Sequence, residues 1–190
     1  MPIQVDVEQR LRNVAEATIA VASEHGLAGV TIRSVAARLD SSTTVITNYL
    51  PSRADLLANA LDLVNDEWTD ELDLVSAGRS PQQALRAVVR SAMSIDEGER
   101  LRSQFWVAVL SEPHRPPSVV AKLRDSAATL RGRLAGLAGS CGLDAHAVDS
   151  LFLLTQGAFI TAVETPVMWD TDRLVAAADA FLDSLLGSDQ

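Results

Sequence analysis

The chain has 190 residues, 47% of them hydrophobic, enough for a sizeable core in one domain or in a small module joined to a larger one. A net charge of −9 argues against a protein that coats nucleic acid by bulk charge. No apolar run reaches the roughly 18 residues a membrane span needs, MPIQVDVEQR lacks the basic start and apolar block of a secretory signal, and one cysteine, Cys141, cannot form an internal disulfide. A reducing, cytoplasmic setting with no membrane partner is expected.

The acid is unevenly placed. Residues 1–60 hold Arg10, Arg12, Arg33, Arg38 and Arg53 against six acids, a net −1, and the remainder carries −8. Any nucleic-acid contact must therefore be a local surface in the first third.

The pattern is helical throughout, with no period-2 alternation and with Leu and Ala in excess. The predicted fold class is all-α, with about nine helices. The first runs from Val7 to His25 on the stripe Val7, Leu11, Val14, Thr18, Val21 and Ala22. Gly26 suits the left-handed position after a helix end, and Thr31 suits an N-cap. A short second helix buries Ile32, Val35, Ala36 and Leu39, and Asp40-Ser41-Ser42 breaks it. A third begins after Ser42, buries Val45, Ile46 and Tyr49, and stops at Pro51. Ser52 and Asp55 have capping-box spacing ahead of a long fourth helix, 53–77, with Leu56, Leu57, Ala60, Leu61, Val64 and Trp68 inward.

Ser80-Pro81-Gln82-Gln83 starts a fifth helix that reaches about Ile95. The sixth covers about 98–111 with Leu101, Phe105, Trp106 and Val109 inward, and Pro113, Pro116 and Pro117 make a loop. The seventh runs from about Ser118 to Cys141. Asp144 caps the eighth, which ends near Thr165. Asp170 or Thr171 caps the ninth, which ends near Gly187.

Residues 31–50 carry the sharpest functional signal. A helix-turn-helix needs a small residue where its helices touch, a residue tolerant of positive φ at the turn and an apolar lock on the second helix. Ala36, Asp40 and Ile46 fill those places, and Asp tolerates the left-handed region better than most residues. The second helix then presents Thr43, Thr44, Thr47 and Asn48, short hydrogen-bonding side chains that can approach a major groove.

Here GLAGVTIRSVAARL followed by DSSTTVITNYLPSRADLL resembles the TetR family of transcriptional regulators. Ala36, Ser42, Tyr49, Pro51, Ser52, Leu56 and Leu57 match in place. Asp40 stands for the family's turn glycine, Thr47 for its first aromatic, Leu50 for a phenylalanine and Arg53 for a lysine. Farther on, QFWVAVLSEP and LLTQGAFITAVETPVMWDTDRLVAAADAFLDSLL are similar to the C-terminal domain of a branch that includes the betaine-operon repressors. The resemblance implies a DNA-binding domain over 1–52 and a ligand-binding and dimerisation domain over 53–190, joined by helix 53–77. It implies that Thr31, Arg33, Thr47, Tyr49 and Arg53 hold the DNA backbone and that Thr43, Thr44 and Asn48, beside Ser42, face bases. A repressor released from a palindromic operator by a small molecule is the expected function, with double-stranded DNA as partner.

The ninth helix is apolar on two faces, with Leu174, Phe181 and Leu185 on one and Val175 and Leu182 on another, which suits a helix that meets a partner as well as its own domain. The eighth, with Leu151 and Val163, is similar. The resemblance implies a homodimer through 145–165 and 171–187. Trp68, Phe105, Trp106, Phe152, Phe159 and Trp169, with Thr155 and Gln156 as polar groups, are candidates to line a pocket for an apolar or amphipathic effector. Plain core packing is the competing explanation for each.

His25, His114 and His146 are far apart and none pairs at helical spacing, so no metal, cofactor or catalytic base is expected. The acids Asp66, Glu67, Asp70, Glu71 and Asp73 suggest a solvated helix face. The rival functions are a helical small-molecule-binding protein or enzyme that does not bind DNA, for which the acidic charge speaks, and a DNA-binding dimer without a ligand.

Overall fold

A computed structural model describes residues 7–93 and 100–187. Among them are nine α-helices and no strand: α1 Val7–His25, α2 Ile32–Arg38, α3 Thr43–Thr47, α4 Arg53–Ser76, α5 Pro81–Ser91, α6 Arg100–Ser111, α7 Pro117–Ser140, α8 Ala145–Glu164 and α9 Thr171–Leu186. The expected end of the fifth helix near Ile95 and start of the sixth near Gly98 lie outside the described residues.

The helix boundaries follow from local chemistry. Orphan N–H groups at helix starts need acceptors. Thr31 and Ser34 satisfy each other's backbone in a capping box at α2, and Ser42 accepts from Val45 N at α3. Ser52 and Asp55 do the same at α4, with Ser52 N donating to Asp55 Oδ2 at 2.9 Å and Asp55 N to Ser52 Oγ at 3.2 Å. Ser80 with Gln83 caps α5, Asp144 caps α8 and Asp170 caps α9. Asp40, at φ 46, is the one non-glycine residue with positive φ among the described residues. It sits where the turn between α2 and α3 requires it.

The chain divides into two compact units, with boundaries inside α4, at the start of α6 and inside α7. Unit 1 is Met1–Glu67 with Leu101–Arg124, and unit 2 is Trp68–Arg100 with Asp125–Gln190. The core of unit 1 joins Val14, Ile19 and Val21 of α1 to Val35, Ile46, Leu56, Leu57 and Leu61, and takes in Phe105 and Val109 of α6. The core of unit 2 is Leu72, Leu85, Val88, Met93, Leu134, Leu151, Leu174 and Leu182, all buried.

Four expectations about burial are corrected. Val7, Tyr49 and Leu101 are exposed, not inward. Val7 opens the first turn of α1 and Leu101 the first turn of α6, where fewer neighbours surround a helix. Tyr49 follows the last turn of α3 and lies under the Arg10 guanidinium. The acidic face of α4 is not simply solvated either. Glu67 pairs with Arg12 at 3.0 Å and Arg102 at 2.6 Å, Asp73 pairs with Arg133 at 2.6 Å, and Glu71 accepts from Ser91 Oγ.

Candidate nucleic-acid interface

The helix-turn-helix is built from its core outward. Ala36 and Val35 are buried on α2 and Ile46 is buried on α3, so the two helices meet over small and branched side chains. Ser41 N donates to Ala36 O and Asp40 N to Ala37 O, which closes the turn. With Ile46 locked inward, Thr43, Thr44 and Asn48 are exposed. Thr47 is half-buried, and its hydroxyl donates to Thr44 O at 3.3 Å. That bond holds Thr47 back on its own helix, as is common for Thr. Ser42 spends its oxygen on the N-cap of α3. Thr31 does likewise at α2.

The segment ahead of α2 is tightly specified. Gly26 has φ 69, and a Cβ placed on Gly29 would lie 2.5 Å from His25 Cβ. Ser34 Oγ donates to Gly29 O at 2.8 Å. Arg53 completes the arrangement: Nη2 donates to Leu27 O at 2.8 Å and Nε to Val30 O at 3.2 Å, while the guanidinium pairs with Glu112 at 3.4 Å. The expectation that Arg53 holds DNA phosphate is therefore revised. Three of its nitrogens are engaged within the protein and a carboxylate neutralises its charge. Glu112 lies 59 residues away in sequence, so no local pattern announced it.

The remaining arginines of this region divide cleanly. Arg12 pairs with Glu67 and Arg38 with Glu24 at 2.7 Å. Arg33 is exposed on α2, and no carboxylate pairs with it among the described residues. Arg10 lies 5.6 Å from the centre of the Tyr49 ring. Between α1 and α3 there is a groove of about 160 Å³ with Leu11, Val14 and Ile46 among its walls and Arg10, Asn13 and Tyr49 at its polar side. Arg10 and this groove were missed in the sequence because α1 reads only as a core helix there.

No family model matches the chain. Over its whole length it is 24% identical to the HTH-type transcriptional regulator PksA of Bacillus subtilis, across 96% of that protein. It is 27% identical to the HTH-type transcriptional regulator BetI of Burkholderia cenocepacia, with 96% of each chain covered. Among solved structures, a transcriptional regulator of Rhodococcus sp. Rha1 superposes with a TM-score of 0.82 at 24% identity, covering 93% of this chain and 95% of that one. A TetR transcription regulator of Haloarcula marismortui gives 0.80 at 21%, covering 94% and 98%. A regulator of Saccharomonospora viridis in complex with choline gives 0.78 at 17%, covering 93% and 96%. The chain is similar over its whole length to HTH-type transcriptional regulators and has the fold of TetR-type regulators. The fold and the full-length likeness agree with the geometry of α2 and α3.

The residues expected at a dimer interface fall into two groups. Leu151, Leu174 and Leu182 are buried inside unit 2 and are core, a correction to their expected place. Val163, Val175, Phe181 and Leu185 are half-buried. The exposed apolar residues of α8 are instead Leu153, at 69% exposure, and Ile160. Gly157 lies between them, and on α9 Ala176, Ala177 and Ala180 are exposed. Both exposed sets recur at three- and four-residue spacing, so each occupies one helix face.

The aromatic residues expected around an effector divide between the units. Phe105 is buried in the core of unit 1 and Trp106 packs against it. Trp68, Phe152 and Trp169 pack against the core of unit 2. Trp169 also stacks with Arg173, whose guanidinium carbon is 4.1 Å from the ring centre. Thr155 is buried with its hydroxyl spent on Leu151 O and Phe152 O, at 3.0 and 2.9 Å, so it does not offer the free polar group expected of it. Gln156 and Phe159 are half-buried beside it on α8. No cluster of three His, Cys, Asp or Glu able to hold a metal ion occurs among the described residues.

Proposed function

We propose that the chain is a cytoplasmic homodimeric repressor, not an enzyme, that places α3 of each subunit in a major groove of a palindromic operator. The observation that carries this reading is the exposed trio Thr43, Thr44 and Asn48 on a short helix fixed from behind by buried Ile46. Short hydroxyl and amide side chains on a rigid helix suit base-edge hydrogen bonding, where Asn reads adenine and Thr reads either a donor or an acceptor. Arg33, Tyr49 and the exposed rim of the same region would hold the backbone and set register.

Dimerisation through α8 and α9 is supported by exposed Leu153 and Ile160 beside the exposed alanines of α9. By length and composition alone α8 is apolar enough to cross a membrane. Its Leu151 and Ala158 nevertheless sit in the core of unit 2, which favours a protein partner for the opposite face. Two heads on a two-fold axis must present their recognition helices about 34–36 Å apart, or a multiple of that, to meet successive half-sites.

Release by an apolar or amphipathic molecule bound among Trp68, Phe152, Gln156 and Phe159 completes the reading. The choline complex of a structural relative supports an effector of that size, and aromatic side chains suit a quaternary ammonium. The test is competitive binding: the purified protein should hold a duplex enriched from a randomised pool far more tightly than mixed-sequence DNA. Choline and related amphiphiles should raise its melting temperature and lower its affinity for that duplex. Equal affinity for enriched and mixed duplexes would refute the operator reading, and would favour a helical ligand-binding protein.

A further inference from the structure

We propose that Arg10, stacked on Tyr49, is a DNA-phosphate clamp of the head, supplying from α1 the cation that Arg53 does not. This rests on the DNA-binding reading above and adds a residue that the helix-turn-helix pattern does not contain.

The inference follows from where the positive charge is free. Of the five arginines in residues 1–60, Arg12, Arg38 and Arg53 are engaged in ion pairs, with Glu67 (shared with Arg102), Glu24 and Glu112 respectively. Arg33 and Arg10 have no carboxylate partner among the described residues, and Arg10 alone of the two is held in place. Its guanidinium lies over the Tyr49 ring at 5.6 Å, at the polar side of the groove between α1 and α3. Tyr49 directly follows Asn48, one of the exposed residues expected to face bases.

A guanidinium on an aromatic face loses little further side-chain freedom when it binds. It keeps its edge N–H groups free to meet two phosphate oxygens at once. The half-exposed Tyr49 adds a phenolic donor beside it. The pair thus offers one full charge and two kinds of donor to a single phosphodiester, adjacent to the base-reading surface. In a protein with net charge −9, such a local cation weighs heavily, because salt screens the acidic residues farther than about a Debye length away and leaves the contact to the charges beside the phosphate.

The experiment measures the salt dependence of binding by fluorescence anisotropy. The probes are a labelled duplex enriched from a randomised pool and a mixed-sequence duplex, and the proteins are wild type, Arg10→Ala, Arg10→Lys and Tyr49→Phe. Removing one phosphate contact lowers the magnitude of the slope of log K against log salt by about 0.9 per bound subunit. Arg10→Ala should therefore lose that slope and weaken both duplexes by a similar factor, with an unchanged melting temperature. Arg10→Lys should restore the slope, and Tyr49→Phe should keep it. If Arg10→Ala disturbs folding, Arg10→Gln carries the same expectation with the long side chain retained. A wild-type slope in the folded Arg10 variant overturns the clamp while leaving the regulator reading intact. Failure of wild type to bind any duplex overturns the regulator reading itself.

Discussion

Replacing Arg53 by alanine should loosen the head rather than remove a phosphate contact. The side chain donates to Leu27 O at 2.8 Å and to Val30 O at 3.2 Å, both in the segment that leads into α2. Hydrogen bonds from a charged donor contribute about 1.5–3 kcal/mol each when well formed, and the longer one contributes less. The Glu112 pair is partly solvated and adds about 0.2–1 kcal/mol. Water re-solvates the freed carbonyls in part, which leaves a loss of about 2–3 kcal/mol. For a chain of this size each kcal/mol lowers the melting temperature by about 2–4 °C, so a fall of about 4–12 °C is expected. Arg53→Lys keeps the charge but satisfies one carbonyl at a time and should fall between. Glu112→Gln should cost about 1 kcal/mol or less. Thermal unfolding by circular dichroism, paired with the salt series on DNA, distinguishes the two roles. An unchanged melting temperature together with a lower salt slope would refute the structural role of Arg53 and restore it to the phosphate backbone.

Leu153→Asp should give a folded monomer by sedimentation, because Leu153 is exposed in the subunit, whereas Leu182→Asp should unfold it, since an unpaired buried charge costs several kcal/mol. A dimeric, folded Leu153→Asp would remove α8 from the interface. Gly29→Ala forces a Cβ to 2.5 Å from His25 Cβ and should destabilise the head by about 1–3 kcal/mol, read by the same melting assay. A wild-type melting temperature would show that the segment relaxes freely.

Much of the fold was legible because helix ends are written in local chemistry. Thr31, Ser42, Ser80, Asp144 and Asp170 all cap as their positions predict, and Gly26 and Asp40 take positive φ where a helix ends or turns. Ile46 as the apolar lock was legible for the same reason, since spacing alone puts it behind Thr43 and Thr44. What spacing does not reveal is which apolar face a helix turns toward its own core. The ninth helix is apolar on two sides, and only packing shows that Leu174 and Leu182 belong inside. Long-range charge pairing was equally hidden. Arg53 with Glu112 and Arg12 with Glu67 join residues 59 and 55 apart, and each engages a cation that the sequence left available for DNA.

The central claim is that α3 reads bases through Thr43, Thr44 and Asn48. Its most direct test is selection from a randomised duplex pool, run in parallel with wild type, Thr44→Ala and Asn48→Ala, with the enriched motifs compared base by base. Wild type should enrich a two-fold symmetric motif. Each variant should relax preference at one or two base pairs per half-site, at a cost of about 1–3 kcal/mol on the wild-type motif and little on mixed DNA. Identical motifs from all three proteins would contradict the assignment of α3 as the reading helix.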